Sequence, residues 1–266
     1  MSRRADRGRA SFARYSFRRH SNRRAVIAKS ERRRGDRDPL AGSAWSRPAT
    51  VEGFVRSAPN ATLLQCAGRA WHGSGRLLDL GCGAGRNAVP LAHTGWIVVG
   101  TDLSLPMLTA AAARVAAERR SDRAHVVLAP MDDLPFASER FDFIVAHGIW
   151  NLARSAGEFR RAVREAARVA RPGAALFLFT FSRSTLAETD EPLPGESFVF
   201  TQFCGQPQCF LTREQVVDEL GAAGFEVDAS LPLHELNQRP KGAVPVASAP
   251  VIWEGLFRRG DRPWSG

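Results

Sequence analysis

The stretch Leu77–Gly85, Leu-Leu-Asp-Leu-Gly-Cys-Gly-Ala-Gly, constrains this chain more than any other. A short apolar run ends in an acid. Glycines follow at alternate positions, Gly81, Gly83 and Gly85, ahead of Arg86, Asn87 and a segment of helical character. A buried parallel strand that stops at a glycine turn opening onto a helix lets a ligand come close to the backbone, where a side chain would collide. A second apolar run from Trp96 closes on Asp102. That acid stands about 20 residues beyond the glycines, the offset at which a carboxylate meets ribose hydroxyls. Residues 77–102 therefore read as one βαβ unit with a nucleoside site.

The acid ahead of the glycines narrows the ligand. A dinucleotide fingerprint needs glycine at its first, third and sixth positions, so that a pyrophosphate rests on the helix N-terminus. Here the sixth position is Arg86, and Asp79 would repel a pyrophosphate while suiting a cationic, amino-bearing ligand. The Asp79–Gly85 segment resembles the first motif of class I S-adenosylmethionine-dependent methyltransferases. Asp132-Asp133-Leu134-Pro135-Phe136, then Phe141–Val145, is similar to that family's third motif and fourth strand, and Arg171-Pro172-Gly173 before Ala174–Phe181 to its turn into strand 5. The likeness covers roughly residues 72–182 well and 183–260 only loosely.

The resemblance implies S-adenosylmethionine as cofactor. Asp79, Gly81, Cys82 and Gly83 would pass its methionine part, and Asp102 with Leu103 would hold the ribose. Met131, Asp132 and Asp133 would lie at the adenine. The sequence carries Pro130 where relatives have an adenine-facing acid, so Asp132 or the Met131 and Asp132 backbone is expected to substitute. It also implies an α/β fold, a doubly wound, mostly parallel seven-stranded Rossmann-like sheet with a final antiparallel strand.

Charge separates an arm from a body. The net charge is +10, but residues 1–50 hold 15 Lys and Arg against 4 Asp and Glu, leaving 22 against 23 over residues 51–266. Residues 1–42 read as a basic, disordered arm and 43–266 as the methyltransferase-like domain. Nucleic-acid binding, a solvated tail, an organelle transit peptide and an upstream extension translated from the wrong start all fit such an arm. No apolar run reaches the ~18–20 residues needed to span a bilayer. With no apolar signal core at the N-terminus, a cytoplasmic protein without a membrane partner is expected. Cys66, Cys82, Cys204 and Cys209 are too few and scattered for a disulfide framework.

Periodicity places the elements. Helices are expected near 48–71, broken at Pro59-Asn60, then strand 76–80, helix 86–94, strand 97–101 and a helix 106–118 capped by Ser104. Strands 125–128 and 141–146, helix 158–170, strand 174–181 and a helix from a Thr212–Gln215 capping box follow. Segments 225–231 and 251–258 would form the closing antiparallel pair.

Open α/β sheets bind ligands at the carboxyl ends of their strands. His147, at the end of strand 4, is the candidate catalytic residue, either as a base or substrate-orienting group, or as a hydrogen-bonding wall of the cofactor pocket. The insert at about 183–211 reads as a lid, or as a hairpin over the core. Its aromatic, amide-rich segment Phe198–Phe210 suits a neutral or apolar small-molecule substrate. No metal is expected, since Cys204 and Cys209 lack a histidine cluster. Methyl transfer to a small molecule is thus the expected activity, with nucleic-acid methylation through the arm, or cofactor binding without catalysis, as the alternatives. The oligomeric state is open.

Overall fold

The computed structural model describes residues 38–238 and 249–261. Most of the basic arm, residues 1–37, thus lies outside the described residues. Two helices, α1 (Pro48–Arg56) and α2 (Ala61–Arg69), precede the first strand, β1 (Arg76–Leu80). The chain continues through α3 (Ala88–His93), β2 (Ile97–Asp102), α4 (Leu105–Ala117), β3 (Ala124–Leu128) and β4 (Phe141–His147). Then come α5 (Ala156–Val169), β5 (Ala170–Phe181), a small hairpin β6 (Val199–Phe200) and β7 (Gln208–Cys209), and α6 (Arg213–Ala222). Short strands β8 (Phe225–Val227) and β9 (His234–Leu236) lead to the closing strand β10 (Ile252–Arg259).

The central strands read as unbroken apolar runs because helices cover both of their faces. The sheet order is β3-β2-β1-β4-β5-β10-β8, with β9 added to the outer part of β10. Strands β1 to β5 run parallel, and β10 is antiparallel to β5, β8 and β9. The expected doubly wound sheet with one reversed strand is what the chain builds. On one face Leu77, Phe143, Val145 and Phe177 pack with Leu63 of α2 and Leu91 of α3. On the other, Leu78, Leu80, Ile144, Leu176 and Leu178 pack with Phe159 and Val163 of α5 and Leu220 of α6.

Local signals set the helix starts. Ser104, Ser155 and Asn60 each accept a backbone N–H from three residues ahead, and Thr212 with Gln215 closes a full capping box. The first helix after the glycines starts at Ala88 rather than Arg86, because residues 81–87 are spent on the turn. Strand β5 begins at Ala170, not Ala174: the Arg171-Pro172-Gly173 turn is absorbed into the strand, with Gly173 at φ 74° and a register slip between Phe141 and Phe143. Strand β8 stops at Val227, where Asp228 accepts the Ser230 N–H and turns the chain.

The insert at 183–211 is a hairpin sunk into the α5–α6 face, with Phe198, Val199, Cys209 and Leu211 all in the main core. Cys209 is buried against the Ala153 carbonyl while Cys204 is exposed, so the two thiols do not converge. Among the described residues no cluster of metal-ligating side chains forms, and no helix is long and apolar enough to cross a membrane.

Packing at one glycine positions the site. Gly100 of β2 lies beside Asp79, and a Cβ there would sit 2.6 Å from Cys82 Sγ. Gly100→Ala should cost about 1–3 kcal/mol through overpacking. The double variant with Cys82→Gly should recover part of it in denaturant titrations.

Candidate active site

The glycine turn converges on the carboxyl end of β1. Gly81 and Gly83 have φ of 64° and 52°, which favour glycine, and side chains already wall the space above them. A Cβ on Gly81 would fall 2.7 Å from Ile149, and one on Gly83 would fall 3.1 Å from the Phe54 ring of α1.

Asp79 and Asp102 flank this turn. Asp102 closes β2 and is oriented by two backbone donors: Gly83 N–H to Oδ2 at 2.9 Å and Ser104 N–H to Oδ1 at 2.8 Å. Asp79 is 1% exposed and its Oδ2 has no hydrogen-bond partner. Burial raises its pKa to about 7, with the nearby Arg86 guanidinium opposing and Asp102 adding to the rise. Burial likewise raises Asp102, and raises the Cys82 thiol far enough to keep it protonated. Both carboxylates add to the rise of the Cys82 thiol.

His147, ending β4, joins them from the other side. Its Nδ1 lies 3.0 Å from an Arg86 nitrogen and its Nε2 lies 3.3 Å from Asn60 Nδ2. The ring stacks on Phe179 with centroids 4.2 Å apart. Burial, then the Arg86 charge, lowers its pKa to about 4, so the imidazole is neutral near pH 7. That value makes it a weak base and a good hydrogen-bonding wall.

The structure thus brings Asp79, Gly81, Cys82, Gly83, Asp102 and His147 together, with Leu103 half-buried beside them. The adenine candidates are less convergent. Met131 packs against the α5-side core, Asp132 is ion-paired with Arg161 of α5 at 3.1 Å, and Asp133 is exposed.

Sequence reasoning did not reach three parts. Arg86 touches His147 across 61 positions, Asn60 bridges His147 and Glu254, and the segment before α1 covers the start of α4 beside Asp102. There Asp38 accepts the Leu105 N–H at 3.1 Å, Ser46 Oγ lies 3.1 Å from Ser104 Oγ, and Trp45 meets Phe54 edge-on. Asn60 had a legible signal as an N-cap residue after a proline, but its partners lie far along the chain.

Residues 78–178 match the family model described as "Methyltransferase domain". Over this segment the chain is thus similar to a methyltransferase domain. The chain is 34% identical over 114 residues to a ubiquinone/menaquinone biosynthesis C-methyltransferase of Geotalea daltonii, covering 41% of this chain and 46% of that one. It is 37% identical over 113 residues to a malonyl-[acyl-carrier protein] O-methyltransferase of Salmonella typhimurium, covering 42% and 41%. The chain thus spans under half the length of these curated relatives. A solved S-adenosylmethionine-dependent methyltransferase of Methanosarcina mazei shares the fold, with a TM-score of 0.62 and 20% identity over 77% of this chain and all of that one.

The lone carboxylate makes a pH prediction. The folded pKa of Asp79 lies above its ordinary value of 3.8, so the folded state holds this proton more tightly than the unfolded one. Its contribution to stability is complete below about pH 4 and is lost as the pH rises to about 7, on the order of 4 kcal/mol in all. Asp79→Asn should remove that part of the slope and be the more stable protein at pH 8. Denaturant midpoints measured across this range for both proteins check it.

Proposed function

We propose that this chain is an S-adenosylmethionine-dependent methyltransferase acting on a small-molecule acceptor. The observation that carries it is the buried, unpartnered Oδ2 of Asp79 beside a glycine turn whose N–H also fixes Asp102. A carboxylate shut from water and lacking a partner needs a cationic or strongly donating ligand group. Asp102 keeps free lone pairs on oxygens already aimed by backbone donors, which suits ribose hydroxyls. These residues fit the cofactor.

When bound, S-adenosylmethionine supplies a methyl group already activated on a positive sulfur. The chain's work is then alignment and exclusion of water. Asp79 anchors the cationic end, Asp102 and Leu103 the ribose, and the backbone at Met131 and Asp132 the adenine. Phe54 and Ile149 close the glycine turn, and neutral His147 orients groups at the end of β4. No nucleophile or metal from the protein is needed.

The acceptor side is read more coarsely. Phe203, 40% exposed and edge-on to Phe181 at the end of β5, supports a neutral or apolar small molecule, while Phe200 and Phe210 beneath them belong to the packed interior. The names of the two curated relatives include one carbon and one oxygen methylation, so neither acceptor atom is favoured by likeness.

Calorimetry with S-adenosylhomocysteine tests the cofactor. Asp102→Ala should weaken binding by about tenfold or more, the scale of a hydrogen bond to a charged group. Gly83→Arg should abolish it, since the new side chain meets Phe54 from a strained backbone. Because a bound cation favours ionised Asp79, binding near pH 7 should release protons and tighten as pH rises, and Asp79→Asn should lose this dependence on buffer. Binding by neither cofactor form, with both variants like wild type, would refute the reading. Isotope-labelled S-adenosylmethionine in a cell extract should then yield new methylated small molecules.

A further inference from the structure

His147 sits between two hydrogen-bond donors, and its neutral ring has only one acceptor nitrogen. On one side is Arg86, whose nitrogens always carry hydrogens, 3.0 Å from Nδ1. On the other is Asn60, 3.3 Å from Nε2 through its amide nitrogen. The amide cannot turn round. Its Oδ1 accepts the Leu63 N–H at 2.8 Å as the N-cap of α2, and its Nδ2 donates to Glu254 Oε2 at 3.0 Å. Flipping it would set a carbonyl against a buried carboxylate and a donor against the Leu63 N–H. Its backbone is tied as well, since the Asn60 N–H donates to Asn87 Oδ1 at 3.0 Å.

We propose that Asn60 is a positioning residue that holds His147 as the Nδ1–H tautomer, so that His147 and Arg86 present two donors to one anionic oxygen. The amide has two hydrogens and serves Glu254 and His147 Nε2 together. Nε2 is then the acceptor and the ring proton resides on Nδ1, facing Arg86. Two donors 3.0 Å apart repel until an oxygen acceptor engages both. Arg86, a long side chain with freely turning bonds, is the member that shifts to admit it.

Glu254 explains why Asn60 holds firm. It is 2% exposed and lies on β10 in register with Phe179, the residue under the His147 ring. Its other oxygen lies 3.8 Å from His234 Nε2. A buried carboxylate whose Oε2 takes an amide hydrogen restrains that amide strongly.

The anionic oxygen has two sources, the amino-acid carboxylate of the cofactor or an oxyanion on the acceptor. This part rests on the function proposed above, whereas the tautomer does not, so the two fail separately. The test is long-range proton–nitrogen correlation spectroscopy on the full chain labelled with 15N-histidine, the His147 signals assigned by their loss in His147→Gln. The expected spectrum has a protonated Nδ1 and an unprotonated Nε2. Asn60→Asp keeps the helix cap but replaces the amide donor with an acceptor, and should move the proton to Nε2. Asn60→Ser, which also caps but has no amide, should do the same. A wild-type ring protonated at Nε2, or a tautomer indifferent to both variants, overturns the assignment.

Ligand arms identify the oxygen. A shift of the Nδ1–H signal with S-adenosylhomocysteine but not with methylthioadenosine, which lacks the carboxylate, assigns it to the cofactor. No shift with either nucleoside but a saturable shift with acetate assigns it to the acceptor. No shift with any of the three overturns the two-donor site.

Discussion

A carboxylate at the end of the central strand, closed off from water and short of a partner, is the constraint to which the rest of the site answers. Asp79 stands between Gly100 of β2 and Val145 of β4, and Cys82 fills the space over that glycine. Isolated buried charge is costly, so the apo protein keeps this group near the edge of ionisation, with Arg86 close by as the opposing charge. Arg86 is itself desolvated, which lowers its own pKa. Neither group fully satisfies the other, and the pair is complementary to a ligand that carries both signs.

From this point a row of side chains crosses the sheet. His147, Phe179, Glu254 and His234 occupy matched positions on β4, β5, β10 and β9. Side chains at matched positions share a face. The reversed strand β10 therefore does more than close the sheet. It carries a carboxylate to the same level as the histidine of β4, and α2 begins above both, so that one asparagine joins them.

Much of the fold was legible because it is local. The apolar runs that become β1, β2, β4 and β5 need no distant information, and Ser104, Thr212 and Asn60 cap helices from their own sequence neighbourhoods. The turn of glycines and the two flanking acids were legible for the same reason: strand, turn and helix follow within 26 residues, and backbone geometry brings the ends together. The surroundings of Asp132 were less so, because its ion pair with Arg161 joins segments 29 apart. Least legible was the link between Asn60 and Glu254, separated by 194 positions. Only the pairing of β10 against β5 makes those two residues neighbours, and no periodicity encodes that. The insert at 183–211 was ambiguous for another reason. A dense aromatic segment satisfies a lid and a core equally until the partners are known, and here Phe159 takes Phe198 into the core.

The division between legible and illegible parts coincides with a physical one. Asp79, the glycines, Asp102, Arg86 and His147 all lie within the segment that matches the methyltransferase family model, residues 78–178. Asn60, Phe54, Glu254, His234 and the hairpin lie outside it. The first set is built on strand ends and one tight glycine turn. The second set comes from the chain's two flanks and meets the first through two side-chain contacts, the Phe54 ring against Gly83 and the Asn60 amide on His147. A change at Asn60 therefore acts on the His147 ring through a single side-chain amide. In the function proposed above, the cofactor cradle lies in the shared segment while the groups beside His147 come from residues that no motif records.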